Sequence, residues 1–219
     1  MIISRRALTA ALSLTGLAAV TGLFSPLRLI TEAMAQSAAD VAKPQALPDM
    51  ALGPATAPVT VTEYASMTCP HCAAFNENVF PKIKAAYIDT GKIRYVFREF
   101  PLDIKAAAGS MLSRCIAKDD AAKYFAVTDL LFKQQGDWVV KNTTEALTRI
   151  GKQAGLSQSQ VESCLKDQAL LDKIAADQKY ASDVLKVNST PTFFINGEMI
   201  KGETSFEEFD KRIKALLKS

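Results

Sequence analysis

The chain is short of the residues from which metal sites and charge-driven interfaces are built. It has one histidine and four cysteines in 219 residues. A structural zinc site needs four ligands at paired spacings, and Cys115 and Cys164 lack such spacing, so no metal is expected. Charge of either sign is also in short supply: 26 basic against 23 acidic side chains give a net charge of +3. Residues 1–35 hold three of the former and one of the latter, so the remainder is close to neutral and gives no reason to expect nucleic acid binding. Beyond the N-terminal region no apolar run is long enough to span a bilayer. Neither an internal repeat nor a low-complexity segment is present. The length left after the N-terminal region suits one domain with a full core.

The N-terminal region reads as an export signal. Arg5 and Arg6 precede an uncharged stretch from Ala7 to Phe24, and Ala33-Met34-Ala35 is a small-residue cleavage site before Gln36. Residues 1–35 are therefore expected to be a cleaved signal peptide, with a retained membrane anchor as the competing reading. Ser4-Arg5-Arg6-Ala7-Leu8 fits a twin-arginine signal as well as a general secretory one. Either route leads to an oxidising compartment, where disulfides persist.

The most informative stretch is Cys69-Pro70-His71-Cys72. Two cysteines two residues apart can close a small, reducible disulfide. The alternating run Val59 to Ala65 before them predicts a strand. After them Cys72, Phe75, Val79, Ile83 and Tyr87 recur at helical spacing, which predicts a helix to about Ile88, kinked at Pro81 and stopped near Gly91. Cys69 is thus placed at a helix N-terminus, where free N–H groups and the macrodipole favour a thiolate. Pro70 suits the first helical position, because its missing N–H is not needed there. His71 sits between the two sulfurs, so its imidazole can donate to the Cys69 thiolate. Glu63 shares a strand face with Val59 and Val61. Buried there, it would have a raised pKa and could pass a proton to or from Cys72. The competing reading is a solvated glutamate at a strand end.

Further along, Ile93 to Phe100 is a second strand, and β-α-β order implies parallel pairing with a right-handed crossover. Ile104, Ala107, Ala108, Met111, Leu112 and Cys115 form an apolar helical stripe, and Asp119 to Phe132 is the next helix. Asn142 with Glu145, and Ser157 with Gln160, mark two more helix starts, and another helix covers about Gln168 to Val187. Met111, Tyr124, Phe125 and Phe132 are expected in the core, and Met67 and Thr68 at the surface against a peptide. Trp138 follows a Gly-Asp turn and acquires no role. Thr190 to Ile195 is a short strand, Asn196-Gly197 a hairpin turn, and Glu198 to Lys201 its return strand. A last helix is capped by Ser205 and Glu208.

Glu63 to Cys72, with Phe97-Arg98-Glu99-Phe100-Pro101-Leu102-Asp103 and Thr190-Pro191-Thr192-Phe193, resembles the DsbA family of thiol:disulfide oxidoreductases. The resemblance runs from about Leu52 to the C-terminus. It implies an α/β, thioredoxin-like fold with an inserted all-helical subdomain. The divisions would be a lead-in over 36–58, a first half over 59–102, the insertion over 103–187 and a second half over 188–219. It implies Cys69 and Cys72 as the catalytic pair with His71 and Glu63 assisting, and a cis bond before Pro191. Substrate contact would come from Thr68, Pro70, Thr190 and Pro191, with the Thr190 backbone offered to an added peptide strand. No cofactor is implied beyond the redox-active disulfide. The partners would be unfolded exported proteins with free cysteines and a membrane quinone-linked reoxidising protein of DsbB type. The location would be the periplasm and the state a monomer. In an oxidising compartment Cys115 and Cys164 are expected to pair, since other pairings would sacrifice the Cys69–Cys72 motif. Many family members lack this second pair. A disulfide isomerase or reductase with the same motif competes with the oxidase reading, although isomerases of this fold usually add a dimerisation domain. A non-catalytic peptide-binding module is the third possibility.

Overall fold

The structure, a computed structural model, describes residues 37–140, 142–202 and 204–218. The expected signal peptide over 1–35 lies outside the described residues. Five strands form one sheet in the order β1-β3-β2-β4-β5: β1 (Met50–Leu52), β2 (Val59–Ala65), β3 (Ile93–Glu99), β4 (Thr192–Ile195) and β5 (Glu198–Lys201). β2 and β3 run parallel, with Val59 opposite Ile93 and Ala65 opposite Glu99. The other three pairings are antiparallel. At the hairpin between β4 and β5, Asn196 and Gly197 both have positive φ (45° and 90°), as a two-residue primed turn requires.

The 36–58 segment is more than a lead-in. It contains helix α1 (residues 37–42) and the edge strand β1. The three residues of β1 are too few to show a period, and β1 becomes a strand only because β3 offers it a free edge.

The crossover from β2 to β3 consists of α2 (Pro70–Asn78), α3 (Phe80–Ile83) and a π-helical turn over Lys84–Ile88. The break falls at Val79, ahead of Pro81, because the proline has no N–H to give to the preceding turn and crowds its carbonyl. The insertion between β3 and β4 is α4 (Ile104–Ala117), α5 (Ala121–Lys133), α6 (Gln135–Trp138), α7 (Thr143–Gln153), α8 (Gln158–Leu165) and α9 (Gln168–Asp183), and α10 (Phe206–Leu216) closes the chain. Asp103, Asp120, Asn142, Ser157, Asp167 and Ser205 each accept a backbone N–H at the start of one of these helices, and Ser157 with Gln160 forms a full capping box.

One face of the sheet presents Val59, Val61, Ile93, Tyr95, Phe193 and Ile195 to Phe75, Ile83, Phe209 and Ile213 from the flanking helices. The other face packs Tyr64 and Phe194 against Val41, Ala181, Leu185 and Val187. A third core lies among the insertion helices and includes Cys69 and Cys72, so the dithiol sits at the seam between insertion and sheet. An ion pair ties these parts together: Arg114 of α4 donates from Nε and Nη2 to Glu99 at the end of β3 (2.5 and 2.7 Å), and the Tyr124 hydroxyl donates to the same carboxylate.

Arg114 takes the inward position that the apolar stripe assigns to Cys115. Cys115 is half-buried and joined to the buried Cys164, bridging α4 and α8. Ile104 leaves the stripe altogether and is 72% exposed, since the first turn of α4 projects beyond the core. Met111, Tyr124 and Phe132 are buried as expected of core residues.

Candidate active site

β2 ends at Ala65 and the chain turns tightly, with the Cys69 N–H bonded to the Ser66 carbonyl at 3.1 Å. Cys69 is the N-cap residue of α2, with extended backbone angles, and Pro70 follows inside the first turn. Ser66 Oγ accepts from the Leu102 N–H, and Thr68 Oγ1 donates to Asp103 Oδ2 at 2.7 Å. The loop before the first cysteine is therefore tied to the start of the insertion. On the opposite side the Thr190–Pro191 peptide is cis. It brings the Thr190 carbonyl to 3.3 Å from Cys69 Sγ, which donates to it as a thiol.

The two sulfurs are unlike. Both are free thiols in this structure. Cys69 is lowered from its ordinary range to about 5, first by the hydrogen bond it receives from the Cys72 thiol. Burial works against this, and hydrogen bonding from Thr190 and the backbone N–H groups of Cys72 and His71 adds to it. Cys72 is pushed far up, first by burial, then by giving its hydrogen bond to Cys69, then by the Glu63 carboxylate. The helix thus holds one sulfur as an anion and the other as its proton donor.

Glu63 is buried under this pair. Its Oε2 accepts from the Tyr95 hydroxyl at 2.6 Å, and its Oε1 is buried with no partner. Burial raises the carboxyl to about 8, the Tyr95 bond pulls it partly back, and the charge of Cys69 pushes it up again. Tyr95 was not singled out in the sequence. Strand parity could have found it, since Tyr95 pairs with Val61 on the face that carries Glu63.

Other expected site residues fall as follows. His71 and Pro70 are exposed at the helix start, and the His71 group that stabilises the Cys69 anion is its backbone N–H. Thr190 is 9% exposed, and its buried hydroxyl has no partner at hydrogen-bond geometry. Cys69 is only 5% exposed, because the Thr190–Pro191 loop packs over it. Met67, expected at the surface, is fully buried against Gly109, while Thr68 stays half-buried beside it. Leu102 (54% exposed) and Ile104 flank Asp103 and present apolar surface next to the Thr68 hydroxyl. Among the described residues no group of three or more histidine, cysteine or acidic side chains could hold a metal ion. No helix among them is long and apolar enough to cross a membrane.

The strand order, the CxxC at the start of the first crossover helix and the cis-proline facing it define a thioredoxin-fold dithiol protein. The thioredoxin family pattern matches residues 45–215. A Rickettsia bellii protein named a protein-disulfide oxidoreductase is 39% identical over 150 residues, which are 68% of this chain and 57% of that protein. The chain thus spans little more than half the length of that relative. Disulfide bond formation protein D of Bacillus anthracis is 31% identical over 76% of this chain and 77% of its own. The crystal structure of Wolbachia pipientis alpha-DsbA1 superimposes with a TM-score of 0.75 at 36% identity, covering 82% of this chain and 95% of that one. The chain belongs to the DsbA family.

Proposed function

We propose that this protein is a periplasmic thiol:disulfide oxidoreductase that passes the Cys69–Cys72 disulfide to exported proteins. The observation that carries the reading is the asymmetry of the two sulfurs, one held as a thiolate at a helix start and the other buried as a thiol. A substrate thiolate attacks Cys69 Sγ, the Cys69–Cys72 bond breaks, and its electron pair leaves on the Cys72 sulfur. That sulfur takes a proton, for which the neutral Glu63 carboxyl is the nearby source. A second substrate thiolate then attacks the substrate sulfur of the mixed disulfide and releases Cys69 as a thiolate. Two electrons pass from the substrate to the enzyme, and the substrate keeps the disulfide. The stabilised Cys69 anion makes the reduced enzyme the favoured state, which is what makes its disulfide oxidising.

Thr190 and Pro191 offer backbone to an extended substrate, with Thr68 and Pro70 at the rim and the exposed Leu102 and Ile104 favouring unfolded, apolar chains. The His71 backbone N–H at the helix start adds to anion stabilisation at Cys69. Turnover requires no cofactor, and a membrane quinone-linked protein of DsbB type withdraws the electrons. The protein acts as a monomer.

The test is equilibration with glutathione. In a buffer poised at about −180 mV, that of an oxidising folding compartment, the Cys69–Cys72 pair should be mostly reduced, and the oxidised protein should restore disulfides to a reduced, unfolded substrate. A pair that stays oxidised in that buffer would assign the protein to the reductases instead.

A further inference from the structure

The insertion reaches the dithiol through one side chain that the mechanism above does not use. Gln135, the first residue of α6, stands half-buried over the loop between β2 and α2. Its Nε2 donates to the Met67 carbonyl and to the Cys69 carbonyl, each at 3.0 Å. An amide nitrogen has two hydrogens, so both are used, one on each side of Thr68. Below it, Trp138 ends the same helical turn. Trp138 is fully buried and its Nε1 donates to the Leu131 carbonyl at 2.7 Å. It shares with Met67 the space over Gly109, where an added Cβ would stand 3.2 Å from both. Gln135 is thereby fixed relative to Met67 from above and from below.

We propose that Gln135 is a positioning residue for the dithiol, with Trp138 as its anchor: its amide brackets the carbonyls of Met67 and Cys69 and so fixes the backbone that aims the His71 and Cys72 N–H groups at the Cys69 sulfur. The carbonyl of a helix N-cap residue is also the group whose rotation would turn its negative end toward the thiolate. The Cys69 carbonyl already takes one helical bond, from the Ala73 N–H at 3.2 Å. Gln135 supplies a second donor from outside the helix, so the insertion, and not α2 alone, sets the geometry of the anion site. This inference rests on the reading of Cys69 as the stabilised thiolate.

The experiment replaces Gln135 by Met, which keeps the length and removes both donors, and by Glu, which sets a carboxylate against two carbonyls. Asn142→Ala, which removes a helix cap in the insertion without touching the loop, is the control for lost stability. Thiolate absorbance of the reduced proteins across a pH series and the equilibrium with glutathione are read for each. Both Gln135 variants should raise the Cys69 midpoint by about one pH unit and weaken oxidation of glutathione by about tenfold, while Asn142→Ala leaves both as in the wild type. A low wild-type midpoint that neither Gln135 variant moves overturns this assignment alone. An ordinary midpoint in the wild type overturns the oxidase reading. Failure of both Gln135 variants to fold also overturns the assignment, because a residue on which the fold depends is a support and not a positioning residue.

Discussion

A carboxyl in the place of Glu63 has few ways to lower its energy. One oxygen takes the Tyr95 hydroxyl and the other has no partner, so the anion is poorly solvated and the group holds its proton to about pH 8. The consequence for stability has a definite sign. Below pH 4.5 the carboxyl is protonated in both the folded and the unfolded chain, and its burial is least costly there. Between 4.5 and about 8 the unfolded chain ionises while the folded one does not, so stability falls as pH rises and levels off above 8. In the reduced protein Glu63→Gln should remove this slope. Across that window the variant gains on the wild type by on the order of 5 kcal/mol, read from denaturant melts at several pH values. It should also slow thiol exchange, because Cys72 loses its proton source. Stability curves that run parallel across the window would mean that the carboxyl is solvated after all.

At the scale of single elements, helix α4 begins where the active-site loop needs support. Asp103 accepts from the Ala106 N–H at 2.8 Å as the helix cap, and its other oxygen takes the Thr68 hydroxyl. One side chain therefore satisfies both a helix end and the residue next to Cys69. Asp103→Ala should destabilise the protein by about 1–2 kcal/mol, and Thr68→Val by about 1 kcal/mol or less, as measured by chemical denaturation. Equal losses from the two would show that the cap contributes nothing of its own. Asp103 belongs to the stretch that carries the family resemblance, and a cap immediately ahead of an apolar helix can be read from sequence. Its bond to Thr68, 35 positions away, cannot.

For the molecule as a whole, the insertion is held to the sheet by the Glu99–Arg114 pair and is braced internally by the Cys115–Cys164 disulfide, which joins α4 to α8 across 49 residues. A cross-link of that span limits the unfolded chain and is worth about 2–4 kcal/mol. The double variant Cys115→Ala/Cys164→Ala should lose that much in a denaturant melt and remain folded. Because Cys69 sits at a helix start that stabilises its anion, graded reductant should open Cys69–Cys72 first. Peptide mapping after alkylation reads the order, and label at Cys115 and Cys164 ahead of Cys69 would contradict it.

Local pattern carried much of this protein. Alternation from Val59 to Ala65, the Asn196-Gly197 turn and the Asn142, Ser157 and Ser205 caps each depend on residues within a few positions of one another, so they are legible in one dimension. The CxxC announced its helix start for the same reason. What the sequence could not decide were the pairings made at long range. β1 exists because β3 has a free edge, Arg114 turns inward because Glu99 waits at the end of a strand, and Met67 is buried because Gly109 lets it approach. The Cys69 sulfur meets Thr190, 121 positions away, and its loop is held by Gln135, 66 positions away. Hydrogen bonds and burial act over a few ångströms of space regardless of separation along the chain, so only the folded chain could bring those partners together.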